Sequence, residues 1–310
     1  MIQVNNLTMS YGSKTVLNKL CFQVKDNCIT GFLGANGAGK STTMNLLTGY
    51  LVPKSGEIII CDKNMLVEPI EARRNIGYLP EIPPLYKDMR IEEYLRYIAE
   101  IKGVGNKKDE VSRVLNLMDM EDRRHEFIKK LSKGYGQRVG FAGALIGDPK
   151  VLILDEPLVG LDPVESKRTR DLLKQLQRDH CIFISSHILS EIEELCTEII
   201  MIKDGEIVID DAKRTIKNNS KENKYSIQVK GKKDEILTAL SNYSNLKSVT
   251  CEGEIEEGLF EFVVTSKNSR DIRDSILSYL VGKKYIVYGI SKQQASLEDV
   301  FIQVNDGEEM

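Results

Sequence analysis

GANGAGKST, residues 34–42, is the stretch that decides how this chain reads. It matches the pattern G-x-x-x-x-G-K-[ST] and lies between an apolar run at 28–33 and a helix-like run at 41–50. That strand–loop–helix setting is the one in which the pattern binds phosphate. Glycines let successive backbone N–H groups turn inward as an anion nest, and the helix start adds its positive dipole end. Lys40 should reach the β- and γ-phosphates of a nucleoside triphosphate, and Ser41 should offer its hydroxyl to Mg²⁺. Gly34, Ala35, Asn36, Gly37, Ala38, Gly39 and Thr42 complete the loop. A glycine turn with a solvated lysine would use the same residues, but a chance match in such a chain is on the order of one in a hundred. The loop reads as a triphosphate site.

Upstream of the loop, residues 2–8 and 21–33 alternate or run apolar and read as strands. Downstream, short strands are expected at 57–61 and 76–79. The segment PEIPPLY, 80–86, cannot be regular, because its prolines remove donors and restrict their neighbours. Asp88 reads as the cap of a helix to about Lys102, with Glu92 and Glu93 well placed in its first turn. A second helix covers about 107–118, so the stretch 88–130 is charged, helical and strand-free. Strand signals return at 151–154 and 181–185, on either side of a helix from Val164 to about Arg178. That βαβ rhythm, with near-continuous apolar strands, implies a parallel sheet buried on both faces. A hairpin at 198–210, turning on Asp204-Gly205, closes the unit.

The run VLILDEP, 151–157, supplies a second acidic site. Adjacent carboxylates at the end of a buried strand are costly unless something positive meets them. Ligands of such sheets bind at the carboxyl ends of their strands. Asp155 suits coordination of Mg²⁺, and Glu156 suits the general base that polarises an attacking water. Solvated acids at a strand end are the plainer reading, and the phosphate loop in the same chain weighs against it.

Bulk properties bound the rest. The 310 residues suggest about two domains, and 41% hydrophobic content can fill a sizeable core. A net charge of -3 carries no footprint for nucleic acid, which demands a basic face. The six cysteines form no CxxC pair and read as buried free thiols of a reducing compartment. The N-terminal sequence does not read as a signal peptide. No window holds the roughly 18 consecutive apolar residues of a membrane helix, so any membrane work needs a second polypeptide.

The polar, turn-rich KNNSKEN, 217–223, reads as a linker between domains at 1–216 and 224–310. Beyond it, strand and helix signals follow the order β-α-β-β-α-β over 225–290, which is the ferredoxin-like order. A last helix is expected at 296–304.

Taken with LSKGYGQRVGFAGAL at 131–145, the phosphate loop and the acidic strand end resemble the ATP-binding subunit of an ABC transporter over residues 1 to about 215. The resemblance implies a P-loop ATPase fold: a parallel-sheet core, an antiparallel β subdomain and a helical subdomain at about 88–145. It implies ATP as ligand and substrate with Mg²⁺, and a head-to-tail pair in which each ATP lies between one subunit's phosphate loop and the other's signature segment. Ser132 and Gly134 match that segment and would contact the γ-phosphate across the interface; a serine N-cap is compatible with the same residues. Tyr11, in MSYGSK, matches the residue that stacks on adenine, although a tyrosine there more often only packs. Asp162, in GLDP, matches the loop that senses the opposite site, and by itself reads as a helix cap ahead of Pro163. His187, in ISSHI, matches the switch histidine of the γ-phosphate.

Two departures accompany the resemblance. Glu81 stands where the family usually has a glutamine that touches Mg²⁺ and the attacking water, and a carboxylate can still ligate Mg²⁺. Lys133 and Tyr135 replace the usual glycine and glutamine of the signature. IGYLPE at 76–81 and SLEDVF at 296–301 look like the branch that pairs with ABC-2-type permeases, mostly exporters. The expected partners are therefore a second ATPase subunit, identical or homologous, and such a permease, met through the 88–130 stretch. That places the chain at the cytoplasmic face of the cell membrane, with no nucleic acid partner. The alternative is a soluble ABC ATPase acting on ribosomes or nucleic acid without a permease.

Overall fold

The computed structural model describes residues 1–212, 223–267, 271–293 and 297–306. The chain divides into two compact units, Met1–Lys213 and Arg214–Met310. Most of the expected linker 217–223 lies outside the described residues.

The first unit begins with β1 (Ile2–Tyr11) and β2 (Lys14–Val24), then β3 (Ile29–Leu33) and α1 (Lys40–Leu47). The apolar run 21–33 is thus two strands. Lys25 to Cys28 break it, with Asn27 at φ 55, a left-handed turn that Asn tolerates. β4 (Ser55–Ile60), β5 (Lys63–Asn64), α2 (Pro69–Arg74) and β6 (Ile76–Leu79) follow. Next come α3 (Ile91–Ile101), α4 (Lys107–Leu117) and α5 (Lys133–Leu145). The unit closes with β7 (Val151–Asp155), α6 (Pro163–Leu176), β8 (Cys181–Ser185), α7 (Leu189–Leu195), β9 (Glu198–Lys203) and β10 (Glu206–Ala212). Helices α2 and α7, of six and seven residues, carried too few turns to register as periodicity.

Two sheets form. One is antiparallel, in the order β2-β1-β4-β5; the other runs β10-β9-β3-β8-β7-β6, with β9, β3, β8, β7 and β6 parallel and β10 antiparallel at its edge. β3 and β8 are buried at every residue, as strands covered on both faces must be. The sheets meet at Phe22, Phe32 and Phe183, whose ring centroids lie 5.2 to 6.0 Å apart. Three aromatic side chains from β2, β3 and β8 thus weld the antiparallel layer to the parallel one.

Asp88 does not cap α3. The N-cap is Arg90, whose amide donates to Glu93 Oε2 at 2.8 Å, while Asp88 pairs with Lys129. Arg90 also bridges Phe127 across the sequence, and this contact fixes where the helix starts. Of the six cysteines, all free, only Cys181 and Cys196 are buried and Cys21 is exposed; the expectation of buried thiols holds for these two alone.

The second unit reads β11 (Lys224–Lys230), α8 (Lys233–Ser241), β12 (Leu246–Glu256), β13 (Leu259–Ser266), α9 (Arg273–Gly282), β14 (Ile286–Gln293) and α10 (Leu297–Asp306). Its sheet order, β12-β13-β11-β14, is all antiparallel and is the ferredoxin-like arrangement. Tyr225, Ile227, Phe262 and Val264 pack there against Ile236, Leu240, Ile276 and Leu280. Among the described residues no helix is long and apolar enough to cross a membrane.

Candidate functional site: a cleft at the strand ends

The order β3-β8-β7-β6 puts the carboxyl ends of four neighbouring parallel strands side by side. Each of the four leads straight into sequence that carries polar groups: Gly34–Thr42 after β3, Asp155 and Glu156 at β7, Ser185 to His187 at β8, Glu81 beyond β6. A cleft of about 510 Å³ opens there. Lys40, Ser41, Thr42, Asn36, Gly37 and Gly39 line it from the loop. Glu81, Asp155, Glu156 and His187 line it from the other strand ends, and Tyr11, 51% exposed, lines it from the end of β1.

Two glycines of the loop are required by space. At Gly34 a Cβ would fall 2.4 Å from the Ile202 carbonyl oxygen. At Gly39, φ is +114 and a Cβ would meet Leu17 Cδ2 at 2.4 Å. Gly34 and Ala38 are buried beneath the loop, whereas Ala35 to Gly37 are exposed. Lys40 Nζ donates to the carbonyls of Gly34 (2.7 Å) and Ala35 (3.2 Å), which holds the ammonium across the mouth of the loop. Burial lowers the Lys40 pKa, and the charges of Glu156 and Asp155 partly oppose this.

On the acidic side, Ser185 is the organising residue. Its hydroxyl donates to Asp155 Oδ1 at 2.5 Å and accepts from the Glu156 amide at 3.0 Å. Burial pushes the Asp155 carboxyl above its usual range; the charges of Glu156 and Glu81 push the same way, against the Ser185 bond and Lys40. Glu156 sits at φ 50, in the left-handed region, at a cost of about 1–2 kcal/mol for a side chain with a Cβ. Its Oε2 accepts from His187 Nδ1 at 2.9 Å. Because the carboxylate only accepts, Nδ1 carries the hydrogen and Nε2 is left for another partner. Tyr78, below Asp155, is pushed up to about 12 by burial and by that carboxylate.

Ser132, Gly134 and Asp162 do not line the cleft. Ser132 caps α5, accepting from the Tyr135 amide at 3.4 Å, and Asp162 caps α6, accepting from Val164 and Glu165 at 2.9 Å each. The two caps lie together: a Cβ at Gly134 would stand 3.7 Å from Leu161 Cδ2, and Lys133 Nζ lies over Gly160. Tyr135 stacks under Arg123 and Arg138, and Arg138 pairs with Glu165 on α6. The signature segment and the loop ahead of α6 are thus one surface.

Sequence reasoning missed Ser185 and Val16, the latter lining the cleft from β2. The signal for Ser185 existed: a hydroxyl at the end of an apolar strand is costly unless partnered. No group of three His, Cys, Asp or Glu among the described residues could hold a metal by itself. A second hollow, about 740 Å³, lies between β6, α3 and α5, walled by Tyr78, Leu79, Pro83, Tyr94 and Ile98.

The sequence profile described as ABC transporter matches residues 17–159. The chain is 33% identical to the ABC transporter ATP-binding protein YhcH of Bacillus subtilis (strain 168), over 98% of this chain and 95% of that protein. It is 40% identical to the bacitracin transport ATP-binding protein BcrA of Bacillus licheniformis, over 67% of this chain and 68% of that one. A solved ATP-binding subunit of an ABC transporter superposes with a TM-score of 0.65 at 30% identity, over 70% of this chain and 92% of that structure.

Proposed function

This chain belongs to the ABC transporter ATP-binding proteins and hydrolyses ATP, and from that premise we propose that it pairs head to tail around two ATP molecules to drive a separate ABC-2-type permease in export. The observation that carries the reading is the single cleft in which Lys40, Ser41, Glu81, Asp155, Glu156 and His187 converge from four strand ends. The bacitracin transport protein among the relatives supports a role in transport.

In this reading Tyr11 stacks on the adenine, and the loop amides with Lys40 cradle the phosphates. Glu156 accepts the proton of the attacking water, with His187 steering its carboxylate through Nδ1 and standing beside the γ-phosphate. Ser41, Asp155 and Glu81 offer hard oxygen ligands that fit Mg²⁺, which takes few protein ligands beside phosphates and water. The raised carboxyl of Asp155 fits a neighbouring cation as well. When bound, Mg²⁺ supplies charge neutralisation to the phosphate oxygens. Ser132, Gly134 and Asp162 lie away from their own cleft, in keeping with service to the partner's ATP. The apolar hollow beside α3 suits a cytoplasmic segment of the permease, and Tyr78, Leu79 and Pro80 in its wall run directly into Glu81 of the cleft. The chain would then work at the cytoplasmic face of the membrane through that permease.

A tagged Glu156→Gln chain tests this. Purified with ATP and Mg²⁺ from detergent-solubilised membranes, it should emerge as an ATP-loaded dimer with the permease, with turnover reduced at least about 100-fold. Robust hydrolysis, or a chain that stays monomeric and alone, would overturn the proposal.

A further inference from the structure

Of the carboxylates in the cleft, two are already engaged. Asp155 is bonded by Ser185 and Glu156 by His187. Glu81 lines the same space, and no hydrogen bond or ion pair holds it among the described residues. Its charge is nevertheless felt at Asp155, so it stands on the acidic side of the cleft.

The charge balance of the lining is the point. Against three carboxylates the cleft offers one lysine, with His187 already spent on Glu156. A triphosphate brings several more negative charges beside Lys40 and Asp155, which are partly buried, and beside Glu81, which is exposed and whose repulsion acts at close range through solvent. An amide at position 81 would leave the loop amides and Lys40 to outweigh two partnered carboxylates. A third, unpartnered carboxylate tips the lining against a bare polyanion. The same oxygens are free to face a hard divalent cation.

We infer that Glu81 makes the cleft discriminate for the cation-bound nucleotide: its free charge weakens binding of metal-free ATP and is neutralised only when the cation enters with the nucleotide. The inference rests on the ATP-site reading above and adds discrimination between the two forms of the ligand. Affinity for the metal-free form, rather than turnover, is the property that Glu81 sets.

The test is calorimetric titration of the full chain with ATP, once in excess Mg²⁺ and once in excess EDTA, comparing the ratio of the dissociation constant in EDTA to that in Mg²⁺. Glu81→Gln should lower that ratio at least about fivefold, mainly by tightening metal-free binding. Glu81→Ala should move it the same way, giving a second neutral variant if the first folds poorly. Glu81→Asp keeps the charge and should keep the wild-type ratio. A ratio within about twofold of wild type in both neutral variants overturns the inference. Lys40→Ala reports on the underlying reading separately, since it should weaken ATP under both conditions; a wild-type chain indifferent to ATP in both would remove that reading and this inference with it.

Discussion

Glu156 is held in a left-handed conformation by its neighbours. A backbone of that kind persists only where its surroundings over-determine it. Here one hydroxyl does so: Ser185 takes the Glu156 amide and the Asp155 carboxylate at once. Ser185→Ala should therefore lower kcat about tenfold while changing the KM for ATP little, because it loosens both carboxylates without touching Lys40 or the loop. It should also cost about 1–3 kcal/mol of stability, since the Glu156 N–H loses its partner. Steady-state hydrolysis together with a urea melt reads both effects. An unchanged kcat would show that the β7 end holds its shape without Ser185. The pairing was invisible along the chain because the two residues are 30 apart and meet only through the β7–β8 register.

At the scale of elements, the carboxyl end of α5 is clamped by α3 and α4. Lys102 Nζ donates to the carbonyls of Ala144 and Ile146, at 3.2 and 2.7 Å, and Arg113 donates to that of Leu145 at 2.9 Å. Glu110 accepts from the Gly147 amide and from Arg113. These cations meet helix carbonyls that would otherwise lack partners. Burial lowers Lys102 to about 8, against an ordinary value of 10.5, with Glu110 opposing. The unfolded chain therefore holds more protons than the folded one above pH 8, and stability rises with pH in that window. Relative to Lys102→Met, the wild type should gain about 1 kcal/mol between pH 7 and pH 9. Denaturant melts of both at the two pH values check the sign; a difference independent of pH would mean that the ammonium is not desolvated. Asp88 belongs to the same scale. The sequence offered it as a cap, but contacts with Phe127 and Lys129, about 40 residues on, moved the helix start to Arg90.

For the whole molecule, Ser132, Gly134 and Asp162 lie on one surface, outside the cleft that the phosphate loop lines. If each ATP is held between two chains, every active site takes its loop from one copy and its signature from the other. Lys40→Ala and Ser132→Arg should each abolish hydrolysis alone. Mixed, they form heterodimers in which one site is intact and the other doubly damaged. Activity should return to roughly a quarter of wild type for random pairing, since about half the dimers carry one good site. No recovery on mixing, with dimers present by light scattering, would place the whole site within one chain.

The phosphate loop, the acidic strand end and the βαβ rhythm were legible in the sequence because each is local: a few adjacent residues fix backbone freedom, strand burial and helix start. The ferredoxin-like order of the second unit was legible for the same reason, as a succession of local periodicities. The tertiary structure alone decided that β3, β8, β7 and β6 are neighbours, that Ser185 stands between Asp155 and Glu156, and that Glu81 joins them without a partner among the described residues. Those facts depend on which strands pair, and pairing is set by how two buried faces pack around Phe22, Phe32 and Phe183, residues up to about 160 positions apart. A sequence lists the groups that a triphosphate needs, and the sheet order brings them to one place.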